Sequence, residues 1–161
     1  NLDVALKLRD ELEARGYEVY MIRETNDVDI SNAERAQLAA ESGSDILIRI
    51  HANGSDNTSV AGTLTMAPST ANPYLSQEMI AECQKLSQCI ITAFCASTGA
   101  NNQGVYQTDV MSGLNWCSIP ATIVEMGYMT NQEEDTRMQT ADYQQQMVTG
   151  IADGIDQYFA S

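Results

Sequence analysis

A chain of 161 residues suffices for one globular domain and not for two ordinary ones, and its 43% hydrophobic content supplies a core. Eight Lys and Arg against twenty-two Asp and Glu leave a formal charge of −14 and a pI near 4.1. That balance excludes phosphate-dominated binding to nucleic acid and attraction to anionic lipid. The longest uncharged run, Leu86 to Thr108, is broken by Ser, Gln, Thr, Asn and Gly, so it falls short of the ~20 apolar residues of a membrane span.

The chain opens on Asn1 without a basic, apolar-cored leader, and the expectation is a trimmed piece of a longer protein. Val4, Leu8 and Leu12 make one helical stripe, stopped by Gly16. Glu18 to Arg23 alternates in the manner of a short strand, and Asn26 and Asp27 make a turn. Ser31-Asn32-Ala33-Glu34 is a capping box opening an Ala-rich helix that ends at Gly43. Asp45 to Ile50 is a nearly continuous β-branched run, typical of a strand buried on both faces, with His51 at its exit.

A polar loop at 53–60 precedes a strand expected over Ala61 to Met66, and Pro68 and Pro73 bracket a linker. A long helix follows on the stripe Met79, Cys83, Leu86, Ile90 and Phe94. Gly104 to Thr108 is a candidate strand, 109–119 an irregular segment holding Trp116, and Pro120 leads into the apolar strand Ala121 to Val124, with Glu125 at its exit. Helix-start residues at Thr130 to Glu134 precede a terminal helix with Tyr143, Met147, Ile151, Ile155 and Phe159 at four-residue spacing. Cys83, Cys89 and Cys95 fall on one helix at separations that no disulfide spans, so free thiols are expected; a bridge from Cys117 to that helix stays open.

Helices alternating with β-branched strands predict an α/β fold in three layers, a mostly parallel twisted sheet with helices on both faces. Polar chemistry in such sheets gathers at the carboxyl ends of the strands. Two apolar strands each end in one ionisable residue, His51 and Glu125, and parallel neighbours would bring the two to one rim. Each has an ordinary reading as well: a packed or capping imidazole, and a carboxylate at a loop start. One His and one Glu do not make a catalytic zinc site, which needs three protein ligands and an open position.

The run Ile48-Arg49-Ile50-His51-Ala52-Asn53 resembles the metal-binding strand and loop of the zinc-dependent N-acetylmuramoyl-L-alanine amidases, bacterial cell-wall hydrolases. Ile119-Pro120-Ala121-Thr122-Ile123-Val124-Glu125-Met126-Gly127-Tyr128-Met129-Thr130-Asn131 is similar to the same family's second motif, in which a proline-led apolar strand delivers the catalytic Glu. The order of elements between and around the two motifs also fits, so the resemblance covers essentially the whole chain.

The resemblance implies a single amidase catalytic domain over 1–161, lacking its first strand and the loop that carries two further zinc ligands, a His and a Glu, upstream of Asn1. It makes His51 the metal ligand present here and Glu125 the catalytic carboxylate. It also implies hydrolysis of the amide between N-acetylmuramic acid and L-alanine in peptidoglycan, with zinc acidifying water and polarising the carbonyl. Glu125 would move the proton. Asn53 is a candidate for orienting the His or meeting substrate, with an ordinary loop-ending role as its alternative. The loops at 53–60 and 97–103 are candidate groove walls, and Trp116 either stacks on substrate or packs inside.

The implied partner is peptidoglycan, the implied setting secreted or wall-associated in a bacterium, and the expected state a monomer. Two other readings differ in class. One is a catalytically silent peptidoglycan-binding homologue, which the sequence upstream of Asn1 would decide; the other is a zinc peptidase acting within the stem peptide, which product analysis would decide.

Overall fold

The computed structural model describes all residues from Asn1 to Ser161. Helix α1, Leu2–Ala14, buries Val4, Leu8 and Leu12. It closes in a Schellman arrangement, with the Gly16 N–H donating to the Glu13 carbonyl and the Tyr17 N–H to the Leu12 carbonyl. Helix α2, Asn32–Glu41, opens on the expected capping box: Ser31 Oγ accepts from the Glu34 N–H at 3.2 Å, and the Glu34 carboxylate accepts from the Ser31 N–H at 2.7 Å.

Strands β1, Leu47–Asn53, and β2, Thr63–Ala67, come next, followed by helix α3, Gln77–Thr98. After them lie β3, Asn102–Gln107, the single turn α4, Ser112–Asn115, and β4, Ala121–Tyr128. Helices α5, Gln132–Met138, and α6, Ala141–Phe159, complete the chain.

The four strands form one sheet in the order β1-β4-β2-β3. β1 runs parallel to β4 and β2 parallel to β3, but β2 is antiparallel to β4. The α/β class with helices on both faces is as expected; the sheet is mixed, two parallel pairs running in opposite directions. The cause lies at residues 54–62, which hold no helix. A parallel return needs a crossover of a dozen or more residues, so the short loop brings β2 back antiparallel.

A strand was expected at 18–23, and the structure has none there. Alternation alone does not make a strand without a neighbour to bond to. β1 is an edge of the sheet, and the segment lies across a cavity of about 1120 Å³ from it, lined by Val19, Ile22, Ile46, Ile48 and Ile50.

One face of the sheet is covered by α1, α3 and α6 around seventeen buried residues, among them Leu86, Ile90, Phe94, Val124, Met147 and Ile151. Helices α3 and α6 approach closely because Gly150 and Gly154 carry no side chain: a Cβ there would lie 2.6 Å from Phe94 Cα and 2.5 Å from Ile90 Cα. The expected stripe of α6 departs at its end, where Tyr158 is buried and Phe159 is 47% exposed. Four-residue steps overrun a 3.6-residue turn by about 40° each, so the fifth position has rotated off the face. The other side of the sheet carries a smaller cluster under α2 and α4: Ala36, Ala39, Leu47, Leu114, Cys117, Ala121 and Ile123. All four cysteines are free thiols, Cys83 and Cys117 buried.

Candidate functional site

Side chains alternate along a strand. Leu47, Arg49 and His51 of β1 therefore share the α2 and α4 side with Ala121, Ile123 and Glu125 of β4. The register pairs Arg49 with Ile123 and His51 with Glu125. In-register residues on neighbouring parallel strands project from the same face at the strand spacing of about 4.8 Å, so the two ionisable residues lie side by side. Both sit within their strands rather than at the exits, since β1 continues to Asn53 and β4 to Tyr128. Just beyond them the register slips, with Asn53 opposite Tyr128. One extra residue on β4 makes a bulge, the kind of irregularity that re-aims side chains beside a site.

Glu125 is 7% exposed, and its Oε2 has no hydrogen-bond partner. Burial pushes its carboxyl above the ordinary range, while the Arg49 guanidinium pulls it back. His51 is half-buried; burial, then the charges of Arg49, Arg35 and Arg23, lower its pKa to about 4. The imidazole is consequently neutral at pH 7, the form that donates a lone pair to a metal. A neutral imidazole beside an unpartnered carboxylate fits one side of a metal-hydrolase site. No three His, Cys, Asp or Glu side chains converge anywhere in the chain, so the chain's own donors fall short of the three protein ligands of a catalytic zinc.

The rim next to this pair is tied down by backbone donors. The Met129 N–H donates to the Asn53 carbonyl at 2.9 Å, and the Ser55 N–H to Thr130 Oγ1 at 3.0 Å. The buried Glu134 carboxylate accepts from the Gly62 N–H at 2.9 Å and the Tyr128 N–H at 2.8 Å. That one side chain holds the loop before β2 against the end of β4. Asn53 turns its Oδ1 onto the Gly54 N–H at 2.8 Å, closing its own loop.

Two residues escaped the sequence reading. Arg49 lies inside the strand motif, and a charge in an otherwise apolar run was the available signal. Glu134 registered only as a helix-start residue; nothing local to its sequence announces two partners on distant backbone. Trp116, if not stacked on substrate, was expected to pack inside, and it is 59% exposed. It caps the one-turn α4, and the buried apolar positions on either side of it are Leu114 within that turn and Cys117 just after it.

Comparison with known proteins follows the same lines. The family model described as N-acetylmuramoyl-L-alanine amidase matches residues 1–157. The chain is 27% identical over 159 residues to the N-acetylmuramoyl-L-alanine amidase LytC of Bacillus subtilis, covering 99% of this chain and 30% of that protein. It is 25% identical to the amidase AmiC of Escherichia coli, covering 46% of it. The chain thus spans about a third to a half of these two relatives. Among solved structures, an N-acetylmuramoyl-L-alanine amidase from Clostridium difficile 630 superposes with a TM-score of 0.88 at 26% identity, covering 99% of this chain and 82% of that one. The catalytic domain of CwlV from Paenibacillus polymyxa gives 0.84 at 25% identity, with the same coverage.

Proposed function

The chain belongs to the N-acetylmuramoyl-L-alanine amidase family, and from that premise we propose that it carries part of a zinc-dependent active site cleaving the amide between N-acetylmuramic acid and L-alanine in peptidoglycan. The observation that carries this reading is the in-register pair His51 and Glu125, an uncharged imidazole next to a buried carboxylate with a free oxygen. In the proposed assignment His51 holds zinc together with a His and a Glu supplied upstream of Asn1. Zinc, when bound there, polarises the scissile carbonyl and lowers the pKa of water.

Glu125 is then the proton carrier. It takes a proton from the attacking water and delivers it to the departing amine of alanine. Both halves of that task need a carboxyl near balance between its forms. Burial favours the protonated form and the Arg49 charge favours the ionised one, so the two influences act against each other at that carboxyl. Asn53 is assigned to loop support beside the site, since its side chain is engaged with Gly54.

The cavity along the free edge of β1 supports the proposal of a further strand upstream. An extended segment placed there would bond to β1 on one side and to residues 18–23 on the other, and would deliver its exit loop near His51, which lines the cavity. Peptidoglycan is the proposed partner, and the proposed place of action is the cell wall or the space outside the cytoplasmic membrane. No helix of the chain is long and apolar enough to cross a membrane.

Digestion of purified peptidoglycan with the full-length protein tests the reading. The expected products are free glycan bearing N-acetylmuramic acid and stem peptides beginning at L-alanine, with one zinc per molecule that is lost in His51→Ala. Cleavage inside the stem peptide would replace this reading with a peptidase. Wall binding with no released products would replace it with a silent binding homologue.

A further inference from the structure

The sheet is regular along β4 only as far as Glu125. On one flank the pairing with β2 runs from Ile123 opposite Met66 to Glu125 opposite Leu64 and ends there. On the other flank the register with β1 slips just past the pair His51 and Glu125. Between Glu125 and Tyr128 the regular ladder therefore no longer sets the path of the strand, at the point where the backbone carries the proposed proton carrier.

Side chains take over from the ladder. Thr63, fully buried, donates its hydroxyl to the Glu125 carbonyl at 2.6 Å. At the far end of the bulge, Glu134 Oε2 accepts the Tyr128 N–H at 2.8 Å, while Oε1 of the same buried carboxylate accepts the Gly62 N–H at 2.9 Å. Arg137 Nη2, 3.8 Å from that Oε1, supplies the opposite charge. Gly62 and Thr63 are consecutive, so the bonds close a ring: from the Glu125 carbonyl through Thr63, Gly62 and the Glu134 carboxylate to the Tyr128 N–H, and back along β4. The strap of this ring is seated on the chain just before β3. There the Thr63 N–H donates to the Asn101 carbonyl at 2.9 Å. Only glycine fits beside that bond: position 62 has φ +132°, and a Cβ on it would lie 2.7 Å from the same carbonyl oxygen. All of these partners lie on the side of β4 away from β1.

We propose that Thr63 and Glu134 are positioning residues for the reaction: by clamping the Glu125 carbonyl and the Tyr128 N–H across the β4 bulge, they aim the Glu125 carboxylate at the proton it moves. The proposal rests on the role assigned to Glu125 above and adds what holds it in place. The direction of a side chain follows its Cα–Cβ bond, which the backbone sets. Proton transfer needs a heavy-atom reach of about 2.6–3.2 Å, and a misplacement of about 1 Å can cost about a hundredfold in rate. A peptide free to tilt at the end of a ladder spends that tolerance; one fixed at both ends of the bulge keeps it.

Steady-state hydrolysis of a soluble muramoyl peptide by the full-length protein tests the clamp, with zinc content and melting temperature taken on each variant. Thr63→Val keeps the volume and removes the donor. Its kcat should fall about ten- to a hundredfold with KM and bound zinc unchanged, and Thr63→Ser, which restores the hydroxyl, should bring kcat back to within about threefold of the parent. Glu134→Gln leaves one acceptor oxygen for two N–H groups and should show the same loss in kcat alone; it decides the question if Thr63→Val does not fold. A kcat unchanged in folded Thr63→Val and Glu134→Gln, or a loss that Thr63→Ser does not rescue, overturns the positioning role. A double-mutant comparison checks the target: on the residual activity of Glu125→Gln, adding Thr63→Val should cost nothing further. The same fold-loss in both backgrounds would mean that Thr63 acts on something other than Glu125, which also overturns the proposal. The two readings fail differently. Parent-like hydrolysis by Glu125→Gln alone removes the role of Glu125 and leaves the clamp nothing to aim, whereas an inactive Glu125→Gln with parent-like clamp variants leaves the amidase standing and removes the clamp.

Discussion

Toward α1, α3 and α6, strands β1 and β4 present Ile48, Ile50, Val124 and Met126 to the larger apolar cluster, whereas one residue along each strand the opposite face carries Arg49, His51 and Glu125. The first face buries seventeen apolar residues in one cluster, the second only seven. A single-residue alternation thus puts the fold's stability on one side of a sheet and its ionisable groups on the other. The charged side can hold an unpartnered carboxylate because the apolar side supplies the free energy that this group withholds.

The division can be broken first on the dry face. Phe94→Ala opens a fully buried position where α3 meets α6, and a loss of about 3–5 kcal/mol is expected. Chemical denaturation followed by circular dichroism measures it. A loss below about 1 kcal/mol would mean that the α3 and α6 side does not dominate stability.

Replacement of Glu125 should do the opposite. Glu125→Gln keeps the shape and removes the ionised form, so the full-length protein should lose about a hundredfold or more in hydrolysis while retaining zinc. Its melting temperature should hold or rise, because the buried Oε2 has no partner to forfeit. A drop in stability together with retained hydrolysis would place Glu125 in the scaffold.

Much of this contrast is written in the sequence. The spacing of Val4, Leu8 and Leu12, the capping box at Ser31 and the β-branched run before His51 are local patterns, and each produces its element within a few residues. The placement of His51 next to Glu125 needed one further rule, that parallel neighbours share a rim. What stayed hidden is non-local. The antiparallel junction of β2 with β4 depends on a loop too short for a crossover, and the missing strand at 18–23 depends on whether a partner lies beside it. Asn53 illustrates the limit for a single residue: its type fits substrate contact and loop closure equally, and only the 2.8 Å bond to the Gly54 N–H separates them. Arg49, an interrupting charge, was visible as an oddity; its company with Arg23 and Arg35 comes from segments 14 and 26 residues away.

A sharper probe lies at the junction between the two regimes, Glu134. Its carboxylate receives two buried backbone N–H groups, and Glu134→Ala leaves both without an acceptor, at a cost of about 2–3 kcal/mol. The loosening should be local. Amide exchange at Gly62 and Tyr128 should accelerate ahead of exchange in α3, and equal acceleration everywhere would show that this carboxylate supports the whole fold rather than the rim.

The smallest expected effect concerns acid. In the metal-free protein, kept so with a chelator, His51 has a folded pKa of about 4 against an ordinary value near 6.5. Between those values the unfolded chain binds a proton that the folded one refuses, so stability is full above pH 6.5 and declines as pH falls toward 4. Burial is the largest influence, followed by the charges of Arg49, Arg35 and Arg23, with Glu125 the nearest carboxylate across the strands. Half-burial screens part of the shift, leaving about 1–2 kcal/mol across that window. Denaturant midpoints taken from pH 4 to 7 should fall toward acid more steeply in the parent than in His51→Gln, so that the gap between the two shifts in favour of His51→Gln by that amount as pH drops. If the His51→Gln protein keeps the same slope, the acid sensitivity belongs to other groups, and the arginines beside β1 do not set the charge state of the imidazole.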